Sequence, residues 1–319
     1  MIFFGDQAWF YLSARDALLT GRLPLVGITS SIVWLHQGPL WTYLLIPVLA
    51  LSGFHPVSGS ILVSFFNILA AVLLYFLAKF WWGHKAGLIA AFLFVFNPMA
   101  KIYFSLAYHT SLLPLFTLIF LWCLVLRRHF LSGLFLGFLY QLHLLTFIFW
   151  PLVLLKLDFK IFLGFTIGIL PFILFSPLQT FGIFVWFGKH LFSGFSGTTV
   201  LSEAYLMVFL TPAILILSRI FIRLPRIVFI LTVVFLLIGY WKLNINKYGP
   251  LLSRRISLSR QILGKSSTLL PKIFIAGPGA QYSTSSYPYI YLLWWLGNPA
   301  GFNSVFQILE ESQTFQVLK

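Results

Sequence analysis

Residues 56–82 read PVSGSILVSFFNILAAVLLYFLAKFWW, and this stretch decides the fold class. It holds one charged side chain, Lys79, close to its end. A helix needs about 20 apolar residues to cross bilayer hydrocarbon, so the run is long enough to span. Trp81, Trp82, His84 and Lys85 close it with the aromatic and basic belt expected at a membrane–water interface.

Working outward, further apolar runs cover residues 87–104, 112–126, 161–175, 204–222 and 227–241. Residues 130–155 suit one tilted helix, or two shorter ones broken near Gln141 and His143. Residues 39–52 are too short to span and read as an interfacial or re-entrant helix. The expected fold is therefore an all-α polytopic membrane protein with seven or eight spans. Composition agrees: 60% of residues are hydrophobic, mean hydropathy is +0.96, and charged residues reach 8%, against about 25% in soluble domains.

The net charge of +15 is not read as a nucleic-acid signal, because the basic residues stand singly between apolar runs. There they set topology and anchor anionic headgroups of membrane lipids. With Asp6 placed outside, Lys79, Lys85, Arg127, Arg128, Lys156, Lys160, Arg219, Arg223 and Arg226 fall on the inner turns. Only Arg15, Arg22, Lys101 and Lys189 fall on the outer side before the tail. The basic excess belongs inside, so the Asp6 loop faces out. Cys123 is the sole cysteine, which excludes an intrachain disulfide and a cysteine metal cluster. Residues 1–4 are too short for a signal peptide, and a preceding membrane helix is expected.

Residues 242–319 turn richer in Ser, Gly, Pro and Lys and form a separate small extracytoplasmic region, leaving 1–241 as the transmembrane domain. The expected elements of the tail are one strand (KIFIA), a turn at GPG, and an aromatic helix (YPYIYLLWWLG) lying against membrane or core.

Carboxylates are scarce, six in 319 residues, and Asp6 opens the run GDQAWFYLSARDALLTGRLPLVG. A carboxylate kept near lipid is a functional candidate. Residues 8–20 suggest an amphipathic surface helix, with Trp9, Phe10, Leu12, Ala17 and Leu19 oily and Arg15 and Asp16 polar. Asp6 then reads either as the helix N-cap or as a general base whose charged form the helix N-terminus favours. Asp16 reads as solvated or paired with arginine. His36, before Gly38-Pro39, is an interfacial anchor or a ligand for a phosphate or sugar hydroxyl.

The ordered set of a DQ motif, an ARD helix, TGRLPLVG, HQGPLWTYLL, GHKAGLIAA and NPMAKIYFSLAYHTSLLPLF resembles the GT-C glycosyltransferases. More narrowly, it resembles bacterial and archaeal relatives of protein mannosyltransferases and aminoarabinose transferases. GFLYQLHLLTFIFWPLVLL, with Gln141 and His143, fits their middle helices. The likeness covers most of the first 180 residues and is weak in the tail. It implies a GT-C-like helical bundle in the plasma membrane with an extracytoplasmic active site in the loop 5–38. It further implies a polyprenyl-phosphate sugar donor and a lipid, glycan or protein hydroxyl acceptor.

In that likeness Asp6 is the catalytic acidic residue, and Gln7 stands where many members have a second acid. The loop 101–111 offers Tyr108 and His109 and no acid. A divalent metal is therefore disfavoured and no cofactor is expected. Arg15, Arg22, Lys101, His36 and His109 are candidates to stabilise the leaving phosphate, Arg22 and Lys101 first. Each taken alone also reads as a snorkelling or headgroup-contacting side chain. Gln7, Tyr108, Gln141 and His143 complete the substrate-binding set, the last two better read as lining a cavity or stabilising a helix break. Asp158 reads as a cytoplasmic loop residue, and Glu203 as a first-turn acid on the outer face. A transporter or lipid-linked glycan flippase is the competing class, but it should bury ionisable groups at mid-membrane, which these spans lack. A truncated, non-catalytic relative is the third.

Overall fold

The computed structural model describes residues 2–30, 34–154, 158–193, 206–243, 250–265, 272–276, 283–297, 305–309 and 314–318. Lys156, Glu203 and the GPG turn lie outside the described residues. In chain order the helices are α1 Gly5–Thr20, α2 Leu40–Leu51, α3 Ser58–Trp82, α4 His84–Val95 and α5 Ala100–Tyr103. There follow α6 Leu113–Val125, α7 His129–Leu142, α8 Trp150–Leu154, α9 Phe159–Gly168 and α10 Leu170–Phe175. The last are α11 Pro177–Ser193, α12 Leu206–Phe221, α13 Arg226–Lys242, α14 Leu252–Lys265 and α15 Tyr287–Trp295. Strands β1 Lys272–Ala276, β2 Val305–Leu309 and β3 Thr314–Leu318 complete the order.

The chain is predominantly helical, as expected, and its three short strands lie in the tail. Among the described residues α3 alone is both long and apolar enough to cross a membrane, and the other apolar helices are shorter. The expected long runs are broken by identifiable residues. The run 87–104 stops at Val95 because Asn97-Pro98 follows: the residue before proline disfavours helix, and Asn97 Oδ1 instead accepts from the Ala100 N–H at 3.0 Å. The run 130–155 divides at His143, in extended backbone (φ −158°). The run 161–175 divides at Ile169, ahead of Pro171.

The chain forms two compact units. The first comprises Met1–Leu23, Thr42–Leu62 and Asn244–Lys319; the second comprises Pro24–Trp41 and Val63–Leu243. The tail thus does not stand alone, as a boundary at 241/242 would have it, but groups with two N-terminal segments.

In the first unit, α1 packs on α15 and the turn at Ser283–Ser286. Small residues allow the approach: Ala8, Ala14 and Ala17 are buried, and a Cβ on Gly5 would overlap the Thr284 carbonyl oxygen. Leu19, expected on the oily side, is exposed. The corner 52–57 between α2 and α3 contains two left-handed residues, Gly53 (φ 59°) and Phe54 (φ 60°). Two tyrosines hold it. Tyr291 donates to the Phe54 carbonyl at 2.6 Å, and buried Tyr11 donates to the Pro56 carbonyl and accepts from the Gly59 N–H, both at 3.0 Å. Burial pushes the Tyr11 hydroxyl's ionisation upward, so it stays a donor.

Tyr11→Phe leaves a buried carbonyl and a buried N–H unpaired, each worth about 1–3 kcal/mol. Thermal unfolding of the detergent-purified variant is expected to lose at least one such increment. An unchanged midpoint would show that this corner does not depend on Tyr11.

The tail sheet has the order β1-β2-β3, with β1 parallel to β2 and β3 antiparallel to it. The parallel pair needs a crossover, and α15 lies between β1 and β2 in the chain. Leu258 and Ile262 of α14, Tyr289 and Leu293 of α15 and Ile308 of β2 form one buried cluster. The expected strand at KIFIA and the aromatic helix are present; α14 and the β2–β3 hairpin are additions.

In the second unit, α7 and α9 make the tightest crossing. Gly133 and Gly137 of α7 face Gly164 and Gly168 of α9, the spacing that lets two helix backbones touch. A Cβ on Gly133 would overlap the Ile161 carbonyl oxygen, and one on Gly164 would overlap that of Phe130. Asp158 caps α9 by accepting from the Lys160 N–H at 2.8 Å. Its bond with His129, then that cap, hold its carboxyl below the usual range. The buried side of α3 shows Val63, Asn67, Ala70, Leu74 and Leu77, while Phe65, Ile68, Val72, Phe76 and Phe80 are exposed.

Candidate functional site

Asp6 lies in the first turn of α1, half-buried, and it is not the N-cap. Phe4 occupies the cap position in extended backbone, and the Gln7 side-chain oxygen accepts from the Phe4 N–H at 3.0 Å. A glutamine at this position can reach back to the cap residue's own N–H, which is half of a capping box. Gln7 is fully buried, and the contact the structure gives its side-chain oxygen is this cap. The carboxylate beside it sits where the helix dipole favours negative charge.

The cations expected to work with Asp6 are separated from it by the helix itself. Arg22 follows the Gly21 C-cap (φ 69°), at the opposite end of a 16-residue helix. At 1.5 Å per residue this is about 24 Å along the axis, too far for both to act on one reacting centre. Arg15, nine residues from Asp6, is half a turn out of phase, at 100° per residue. Its guanidinium pairs with Asp16 at 2.6 Å and lies 5.0 Å from the Trp294 ring centre. The structure therefore does not bring either α1 arginine to Asp6, and Arg22 is exposed.

His36, Lys101, Tyr108, His109, Gln141 and His143 all belong to the second unit. The segment holding His36 folds back on itself, with Gly27 donating to the Gln37 carbonyl at 2.7 Å and Ser30 to that of Leu35 at 2.8 Å. Gln179 clasps His36 through its main chain, accepting from its N–H at 3.1 Å and donating to its carbonyl at 2.8 Å. The ring Nδ1 lies 3.3 Å from the Gly27 carbonyl, which can only accept, so Nδ1 carries the proton in that contact.

Gln141 is a junction. Its main-chain carbonyl accepts from the Gly38 N–H at 2.7 Å, its side-chain oxygen from the Leu40 N–H at 3.1 Å, and its side-chain nitrogen donates to the Gly168 carbonyl. It thereby satisfies the open N-terminus of α2 and the open C-terminus of α9, the groups every helix end leaves over. These bonds match the helix-break stabilisation expected of it as one alternative.

His143 accepts from the Leu145 N–H through Nδ1 at 3.2 Å, capping the short 3-10 helix Leu144–Phe149. Its ring stacks on buried His109 with centroids 6.2 Å apart, and Tyr108 lies against His109 at 4.1 Å. Lys101 donates to the carbonyls of Tyr240 and Leu243, both at 3.0 Å, and so caps the C-terminus of α13. A cation there is favoured by the dipole.

Sequence reasoning missed Asn67, the sole amide within α3, whose Nδ2 donates to the carbonyls of Val63 and Ser111 at 3.0 and 3.1 Å. The rule that singled out Gln141, a polar group deep in an apolar run, would have found it. Tyr11 and Gln179 carried no such signal. No protein-family model matches the chain, and no curated protein or solved structure matches it either. The likeness to GT-C enzymes rests on the sequence motifs alone.

Proposed function

We propose that this chain is a multi-pass plasma-membrane glycosyltransferase that moves a sugar from a polyprenyl phosphate to a hydroxyl acceptor on the extracytoplasmic face, with Asp6 as general base. The membrane reading is supported by the apolar residues left uncovered along α3, which recur at helical spacing from Phe65 to Phe80. Soluble monomers rarely leave so continuous an apolar surface open. The observation that carries the catalytic reading is the division of labour at the start of α1. Gln7 closes the cap, and Asp6 stands beside it in the first turn, half-exposed, where the helix dipole favours its charged form.

In this reading the acceptor hydroxyl attacks the anomeric carbon and its proton passes to Asp6. The bond between that carbon and the phosphate oxygen breaks, and polyprenyl phosphate departs with the negative charge. Neither arginine of α1 meets that charge.

Full-length protein incubated with a labelled polyprenyl-phosphate sugar and a hydroxyl acceptor is expected to transfer label, and to do so equally in EDTA. The second expectation follows from Gln7 replacing the paired acid, since Mg²⁺ commonly uses at least one or two carboxylates. Activity lost in EDTA and restored by Mn²⁺ would contradict it. Orientation has its own test. Thr29 is exposed and Cys123 is buried. A Thr29→Cys variant should react with an impermeant thiol reagent in intact cells; reaction only after lysis would reverse the topology.

A further inference from the structure

The tail sheet of the first unit has two edges, and they differ. β1 carries Lys272 and also packs on the turn at Ser283–Ser286. β3 is bonded to β2 alone, in an unbroken register from Thr314↔Leu309 to Leu318↔Val305. Among the described residues its other edge therefore presents unpaired main-chain N–H and C=O groups. Such an edge is a template for a further strand, and proteins blunt it with charge, proline, a bulge or a very short strand. TFQVL has neither charge nor proline, its pairing with β2 contains no bulge, and its length is ordinary for a strand.

We infer that the outer edge of β3 binds the same edge of a second copy of this chain, antiparallel, so that the two tail sheets join around a two-fold axis. A ladder centred on Gln316 uses the whole strand: Gln316 meets its own counterpart, Phe315 meets Val317, and Thr314 meets Leu318. Charge decides the direction. Glu310 and Glu311 precede β3 in the sequence and Lys319 follows it. An antiparallel copy brings each acidic end beside the other's basic end, whereas a parallel copy sets like charges side by side. No charge on β3 selects a foreign peptide, but its own copy matches it in length and in charge order. The contact is small beside ordinary dimer interfaces, so the dimer dissociates on dilution. The inference rests on neither the catalytic nor the membrane reading.

Disulfide trapping in the full-length, detergent-purified protein tests it, and the native Cys123 is buried. Directly opposed residues of an antiparallel ladder have Cα atoms about 4.5–5.5 Å apart, within disulfide reach. Gln316→Cys should therefore give a covalent dimer on mild oxidation. Leu318→Cys should not link to itself, because the ladder sets its two copies about 14 Å apart along the strands. It should link to Thr314→Cys when the two proteins are mixed. Gln316→Lys and Gln316→Glu should each lose the dimer in native mass spectra at concentrations where wild type shows it. Their mixture should recover it, because like charges directly opposite repel and opposite charges attract. No covalent dimer from Gln316→Cys, or a Lys and Glu mixture that stays monomeric, would overturn the inference. Self-linking of Leu318→Cys as efficient as that of Gln316→Cys would also overturn it, by showing a parallel pairing or random collision.

Discussion

Gly133→Ala is expected to prevent accumulation of folded protein, and Gly164→Ala likewise. The two glycines sit where α7 and α9 cross, and the added methyl in each case meets main-chain carbonyl oxygen, of Ile161 or of Phe130. Main chain cannot swing aside as a flexible side chain can. Gly137 and Gly168 lie in the same seam, where a Cβ on Gly137 would come within 2.7 Å of the Gly168 Cα. Separating the helices to make room would also strain the Gln141 bond to Gly168. Overpacking costs about 1–3 kcal/mol where side chains can adjust; here the cost should be at the top of that range or beyond. Gly188→Ala is the control, because no atom lies within 4 Å of its added Cβ. Size-exclusion profiles and unfolding midpoints in detergent separate the cases. A monodisperse Gly133→Ala protein with the wild-type midpoint would mean that the α7–α9 crossing is wrongly placed.

That seam was legible in the sequence and went unread: GLFLG at 133–137 and GFTIG at 164–168 both carry small residues four apart. The apolar runs themselves announced the helices, because they are longer than the strands of ordinary sheets. Their interruptions were less visible. Asn97-Pro98 and Pro171 are local signals that went unused, whereas a break near Gln141 and His143 was one of two readings of its run, and the bonds of Gln141 to Gly38, Leu40 and Gly168 decide for it. The tail shows the same contrast. KIFIA reads as a strand unaided, but VFQIL and TFQVL are five-residue segments whose partner strand becomes known only after folding. The helix LSRRISLSRQILGK was masked by its serines and arginines, although Leu252, Leu258 and Ile262 recur on its buried side.

At the candidate site, Asp6 was a reasonable N-cap by residue type, and Gln7 took that work because position three of a helix can reach back. Asp6 and Arg22 lie apart by simple arithmetic: residues 5–20 are one helix, and the two residues stand at its opposite ends.

Asp6→Asn is expected to reduce sugar transfer by about 10²–10⁴-fold, the usual worth of a general base. The substitution keeps the side chain's size and its place in the first turn of α1 while replacing the basic carboxylate by a neutral amide that cannot take the acceptor's proton. Because Gln7 makes the capping bond, α1 should stay as stable as before, and neither the Tyr11 bonds to Pro56 and Gly59 nor the packing of α1 on α15 is disturbed. A fall in unfolding midpoint alongside the fall in rate would point to a structural role for the carboxylate. Gln7→Ala is the complementary case. It removes the cap bond at a cost of about 1 kcal/mol, so it should lower the midpoint more than the turnover of the protein that remains folded.

The most direct measurement is transfer of label from a polyprenyl-phosphate sugar by purified wild-type and Asp6→Asn proteins, compared at matched folded concentration. Wild-type protein should transfer label and Asp6→Asn should fall at least about 100-fold below it with an unchanged unfolding midpoint. Equal transfer by the two, or no transfer by wild type with any hydroxyl acceptor, would contradict the account.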